Sequence, residues 1–252
     1  MKMLCIDTSG QDLVIALTEY AESTAAQNIA GGINTEKDTK ENAYKGAEKD
    51  ASKDSESAFE DIYLEVPASQ RKHSQILLPG VEQVLARAGL NLFDIDCFCC
   101  VTGPGSFTGI RIGVTTVRAF CQITGAAAVE VNSLQYPAYN VNSARLTVRD
   151  AGNQKLYYGV YGASGAEILP PSVCEFDEFA EIAAAHPNVR IYTDTAIPSE
   201  IDSLPIIDAA QNLAACARAK VAREGTGDAN KLAPLYVRVS QAEENLKKRS
   251  AQ

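Results

Sequence analysis

The sequence predicts an α/β protein built from one unit used twice, and two observations carry that expectation. The first is a repeat. Leu4-Cys5-Ile6 leads into Asp7 to Gln11 and then Leu13 to Leu17, while Leu146-Thr147-Val148 leads into Asp150 to Gln154 and then Leu156 to Tyr161. Each copy reads strand, Asp-led turn, strand, with a leucine six positions after the aspartate. The second observation is that helical and strand patterns alternate after each hairpin. Two α/β subdomains follow, 1–131 and 132–252, the latter including a C-terminal tail.

After the first hairpin, 21–58 is rich in Glu, Asp, Lys, Ala, Ser and Asn with only isolated large apolar residues. Such a stretch cannot bury enough surface to offset its ordering entropy, so it reads as a flexible acidic insertion. Ile62 to Val66 reads as the third strand. Gln70 to Ala88 reads as a helix closed by Gly89, with Leu77, Val81, Val84 and Ala88 on its apolar stripe; Pro79 kinks it or marks its start. Ile95 to Val101 is a buried strand, Ile110 to Thr124 a helix stopped by Gly125, and Ala127 to Val131 a further strand. The second half continues with a strand at Val173 to Glu175 and a helix at Phe176 to Ala185. A strand at Val189 to Tyr192 and a helix at Asp208 to Glu224 complete it.

The most distinctive local string is Thr102 to Gly113, TGPGSFTGIRIG, which places four glycines and a proline between a strand and a helix. Glycine there permits close backbone approach, and Ser106 or Thr108 can cap the helix. Neither phosphate-loop pattern fits. Gly109 is followed by Ile110 where a P-loop needs lysine, and Thr108 stands where a dinucleotide fingerprint needs glycine. The helix N-terminus still offers amides to an anion, which makes Gly105 and Ser106 candidate contacts.

GPGSFTGIRIG, preceded by HSQILLP at His73 to Pro79 and by LCIDTSG at Leu4 to Gly10, resembles the bacterial TsaB (YeaZ) family of tRNA threonylcarbamoyladenosine biosynthesis proteins. PLYVR at Pro234 to Arg238, followed by Ser240-Gln241-Ala242-Glu243, is similar to that family's C-terminal string. The resemblance implies the duplicated actin-like, sugar-kinase fold. It further implies a non-catalytic subunit that binds and orients the catalytic subunit TsaD for synthesis of t6A at tRNA position 37. Three features depart from the family pattern: the insertion, Gly152 where arginine often follows Asp-Ala, and Gln75 where glutamate is common.

Composition bounds the rest. With 252 residues, 46% of them hydrophobic, the chain can furnish real cores. No stretch approaches the ~20 apolar residues of a membrane span, and the opening residues turn polar too early for a signal peptide, so a cytoplasmic location is expected. Seven cysteines, an odd number, fit a reducing compartment. Strand alternation puts Cys97 and Cys99 on one face and Cys100 on the other, which argues against a metal site there. The formal charge of −9 argues against tRNA binding by this chain alone; Arg111 and Arg118, on one helical face, are the best candidates for a local basic patch.

Two functional readings stay open for the aspartates. In actin-like ATPases an aspartate after the first strand holds a metal–nucleotide complex, and Asp150 matches Asp7 in the second half; an actin-fold phosphotransferase or ATPase is therefore the alternative function. The competing reading is that both carboxylates bond to turn amides. TsaD carries a His-x-x-x-His pair on its first helix, whereas here His73 is followed at that distance by Leu77. No nucleophile and base are convincingly paired, so no catalytic residue and no metal ligand is assigned. On a helical wheel, Ala119, Ile112, Ile123, Phe120, Val117, Ile110 and Val114 span roughly 220°, about twice what one sheet needs. The resemblance implies that the two helices of the first half meet TsaD, or a second copy of this chain when TsaD is absent. The candidate partner-binding residues are His73, Leu77, Val81, Val84, Ile112, Thr116, Phe120 and Ile123. TsaE and tRNA would be met through the complex. The chain itself would need no cofactor, with ATP, threonylcarbamoyl adenylate and a metal used by the complex on the partner.

Overall fold

The computed structural model describes residues 1–21, 59–67 and 72–238. Its first five-stranded sheet has the order β3-β2-β1-β4-β5. These strands are β1 (Lys2–Asp7), β2 (Leu13–Glu19), β3 (Ile62–Val66), β4 (Cys97–Gly103) and β5 (Ala127–Asn132). The second sheet runs β8-β7-β6-β9-β10. It is built from β6 (Arg145–Asp150), β7 (Lys155–Tyr161), β8 (Glu167–Glu175), β9 (Arg190–Thr193) and β10 (Leu204–Pro205). In both, the first three strands form an antiparallel meander, and the fourth and fifth add in parallel beside the first. The repeat seen in the two hairpins thus extends to the whole sheet. The proposed insertion lies, from residue 22 to 58, outside the described residues.

The first sheet is buried on both faces. Leu4, Ile6 and Cys100 point toward α1 (His73–Ala88) and α2 (Phe107–Thr124), while Met3, Cys5, Cys97 and Cys99 point the other way. The cysteines therefore divide as strand alternation requires, and burial pushes the Cys97 thiol up to about 12. α1 begins at His73, so Pro79 lies inside the helix and does not mark its start. α2 begins three residues earlier than its apolar pattern suggests, because the Ser106 side chain accepts from the Gly109 amide and caps it.

β5 runs through Asn132, and the stretch that follows it does not keep all its elements to itself. α4 (Ala209–Glu224) returns to the first sheet, packing Ala210, Leu213, Ala214 and Ala217 against Met3, Cys5, Val14 and Ala16. Strands apolar on both faces need cover on both faces, and the small residues of α4 let its backbone lie close.

In the second half, α3 (Phe179–Ala184) covers Leu146, Val148, Leu156 and Val160. The opposite face of β6 presents Arg145, Thr147 and Arg149, all buried. Arg145 donates to the carbonyls of Gln135, Pro137 and Gly162, and its guanidinium lies over the rings of Tyr139 and Tyr161. It thereby ties the segment that crosses between the sheets to the inner side of the second one.

Candidate functional site

The two Asp-led turns face each other across a cleft of about 300 Å³, whose walls include Gly10, Ser106, Asp150, Arg149, Asp194 and Arg238. β1 and β6 deliver the turns, and the glycine string ahead of α2 closes one side. That string is dictated by backbone contact with the first turn. The Ser106 amide donates to the Ser9 carbonyl at 2.8 Å, and the Thr8 hydroxyl donates to the Gly109 carbonyl at 2.7 Å. A Cβ on Gly105 would stand 2.3 Å from the Ser9 carbonyl oxygen, and one on Gly109 would stand 1.9 Å from that of Thr8. The Ser106 amide, which could meet an anion, already serves the protein itself, and the hydroxyl oxygen accepts from the Gly109 amide.

Both aspartates bond to amides of their own turns. Asp7 Oδ1 accepts from the Ser9 amide at 2.6 Å, and Asp150 Oδ1 accepts from the Gly152 amide at 2.8 Å. They differ in setting. Asp150 is exposed at the cleft wall, whereas Asp7 is 1% exposed and sits beneath it. The second oxygen of Asp7 accepts from the Tyr136 hydroxyl at 2.6 Å and lies 3.4 Å from Arg149. Arg149 also donates to Tyr136 at 3.1 Å and pairs with Asp194 at 3.2 Å. Burial disfavours the Arg149 charge, but Tyr136, Asp194 and Asp7 outweigh it and raise the guanidinium above its usual range. Burial likewise raises the Tyr136 hydroxyl well above the usual phenol range.

Arg149, Tyr136 and Asp194 are absent from the sequence-derived candidates. The alternation in RLTVRD, polar at Arg145, Thr147 and Arg149 against Leu146 and Val148, is the signal that marks a polar inner face on β6. Nothing local marks Tyr136 or Asp194, which reach the cluster only through the fold.

The helical candidates separate into two groups. Leu77, Val81, Val84 and Phe120 are core residues in contact with the first sheet, and Phe120 lies 5.5 Å from Phe98 between ring centroids. They cannot form a surface, because the sheet and the neighbouring helix together use more of each apolar arc than one sheet alone would. Ile112 and Thr116 are half-buried, Ile112 packing on the edge of that core. Ile123 is 62% exposed, and Leu78, which the sequence reading did not select, is 52% exposed. His73 donates through Nε2 to the Gln11 carbonyl at 2.9 Å, fastening the start of α1 to the first turn.

The chain's other histidine, His186, lies within 2.9 Å of the Ile182 carbonyl through Nδ1. Neither ring is paired, among the described residues, with a serine or cysteine as a base would be. Among the described residues, no three His, Cys, Asp or Glu side chains converge in a metal-binding arrangement, and no helix is long and apolar enough to cross a membrane.

These features define a duplicated, actin-like α/β protein whose cleft is floored by a cluster of its own polar side chains. The chain belongs to the family described as TsaD: tRNA N6-adenosine threonylcarbamoyltransferase, whose model matches residues 66–232. It is 44% identical over 95 residues to the tRNA threonylcarbamoyladenosine biosynthesis protein TsaB of Haemophilus influenzae, covering 36% of this chain and 40% of that one. An uncharacterized protein of Mycobacterium tuberculosis is 32% identical over 108 residues, 43% of this chain and 51% of the relative. The chain thus spans about half the length of the mycobacterial relative it matches. YeaZ from Pseudomonas aeruginosa superposes with a TM-score of 0.64 at 19% identity, covering 93% of this chain and 99% of that one, which shows the shared fold. The resemblance to TsaB and YeaZ drawn from the sequence motifs is borne out.

Proposed function

We propose that the chain acts in synthesis of N6-threonylcarbamoyladenosine on tRNA as a non-catalytic subunit that binds and orients a TsaD-type enzyme. The observation that carries this reading is the exposure of large aliphatic side chains, Leu78 and Ile123, on the outer side of the α1 and α2 layer. Membership of the threonylcarbamoyltransferase family supports it. So does the commitment of Asp7, Ser106 and both histidines to contacts within the chain. In this reading the partner handles ATP and threonylcarbamoyl adenylate and carries the metal, TsaE and tRNA are met through the complex, and the same helical face pairs two copies of the chain when the partner is absent.

The test is size-exclusion chromatography of the chain with a TsaD protein, using Ile123→Glu. Its side chain lies outside the core, so the variant is expected to fold and to lose the complex, because a charge is then trapped in a desolvated contact. A folded variant that co-elutes with TsaD like the native chain would overturn the proposed face. Calorimetry with magnesium and ATP separates the phosphotransferase reading, which requires saturable binding by the isolated chain.

A further inference from the structure

The cluster beneath the cleft joins the two halves of the fold. Asp7 ends β1 of the first sheet, Arg149 lies on β6 of the second, Asp194 directly follows β9, and Tyr136 comes from the segment between the sheets. Arg149 lies 3.4 Å from one carboxylate and 3.2 Å from the other, and its guanidinium stands 5.4 Å from the centre of the Tyr136 ring. A hydroxyl contact to Ser9 at 3.5 Å completes its surroundings. The Asp7 carboxylate, shut off from solvent, requires a cation beside it, and the exposed Asp194 shares that cation from the cleft side. The chain supplies that cation itself.

We propose that Arg149 is a built-in cation that bolts the two halves of the fold together and occupies the place between Asp7 and Asp194 that a metal ion would otherwise take. Two consequences follow. The angle between the halves is held without any ligand, and the buried Asp7 carboxylate already has its counter-cation, so no divalent cation is needed beside it. The guanidinium suits this place better than an ammonium would, because its planar fork addresses Asp7, Asp194, Tyr136 and Ser9 in different directions at once. The inference stands independently of the proposed partnership, since it concerns contacts within one chain.

Chemical rescue of the full chain tests it. Arg149→Ala is expected to lower the melting temperature by about 10 °C, because the buried Asp7 carboxylate loses its cation. Adding about 20 mM methylguanidinium should restore most of that loss by refilling the vacated place, while tetramethylammonium at the same ionic strength should not. The double variant Asp7→Asn/Arg149→Ala should gain far less from methylguanidinium. Should Arg149→Ala be recovered unfolded, methylguanidinium in the refolding buffer should yield native circular dichroism. The proposal is overturned by an unchanged melting temperature, by absence of rescue in either format, or by equal rescue in the double variant. A magnesium- or manganese-dependent rise in the melting temperature of the native chain would overturn it as well.

Discussion

The Tyr136 hydroxyl donates to Asp7 Oδ2 at 2.6 Å, joining residues 129 positions apart at a point where neither reaches solvent. The contact places a neutral donor on a buried carboxylate from the side opposite its own turn amide. Tyr136→Phe removes the donor while keeping the ring. It should cost about 2 kcal/mol, the usual value for a hydrogen bond to a charged group. Urea denaturation checks this; a change below a few tenths of a kcal/mol would show that Arg149 and the Ser9 amide alone satisfy Asp7.

Glycine at position 109 is required by backbone crowding rather than by any ligand. Gly109→Ala sets a methyl group 1.9 Å from the Thr8 carbonyl oxygen, and backbone on both sides must move. A loss of at least about 3 kcal/mol is expected, as for overpacking without room to relax. Gly125→Ala is the contrast. Its Cβ would meet nothing within 4 Å, so only its left-handed backbone, at φ 77°, is penalised, by about 1 kcal/mol. Equal losses in the two variants would refute the close approach.

A second polar cluster predicts a pH dependence. Asp61 accepts from Thr18 and Tyr63 and pairs with Arg218 of α4 at 2.8 Å. Burial opposes its charge, but the hydrogen bonds from Thr18, Tyr63 and Arg218 prevail and hold the Asp61 pKa below its ordinary value. Burial and Asp61 push Tyr63 up to about 12. A depressed carboxylate stabilises the fold above its unfolded pKa and loses that contribution as pH falls through the folded one. The raised phenol contributes fully below pH 10 and loses its contribution as pH rises toward 12. Asp61→Asn should therefore be less stable than the native chain at neutral pH and converge with it as pH falls through the lowered folded pKa of Asp61. Denaturant midpoints measured across the acid range decide this, and a constant difference would count against the assignment.

The register of β2 and β3 is set by residues on either side of 22–58. The ladder closes at Leu17↔Ile62, and the Thr18 hydroxyl bonds Asp61 just beyond it. Replacing 22–58 with a short turn should keep the melting temperature within about 3 °C, since loop length enters the closure entropy only logarithmically. A variant that is insoluble, or much less stable, would assign that segment a role in the fold.

Much of the architecture is legible in the residues because it is encoded locally. Period-2 runs flanking Asp7 and Asp150 announce the hairpins, and their likeness correctly signals duplication of the whole sheet order. Ser106 and Gly125 bracket α2 by cap chemistry that one turn of chain can express. The bonding of both aspartates to their own turns is equally local, spanning two residues in each case.

What lay beyond the sequence depends on contacts between distant residues. A helical wheel gives the width of the α2 arc but not how much of it the sheet and adjacent helix consume, and Leu77, Val81, Val84 and Phe120, partner-face candidates through the family resemblance, are core. The return of α4 to the first sheet depends on that sheet being apolar on both faces, a property of its assembled strands rather than of any helix. The matching of Asp7 with Asp150 reflects their equivalent places in the repeat, yet the side chains that meet are Asp7, Tyr136, Arg149 and Asp194. Sequence alone determined the repeated unit, its turns and its caps, because each is favoured by neighbours a few positions away. Only the tertiary structure decided which charges share the cleft, because burial, which forces a charge to find partners, exists only once the two halves have closed on each other.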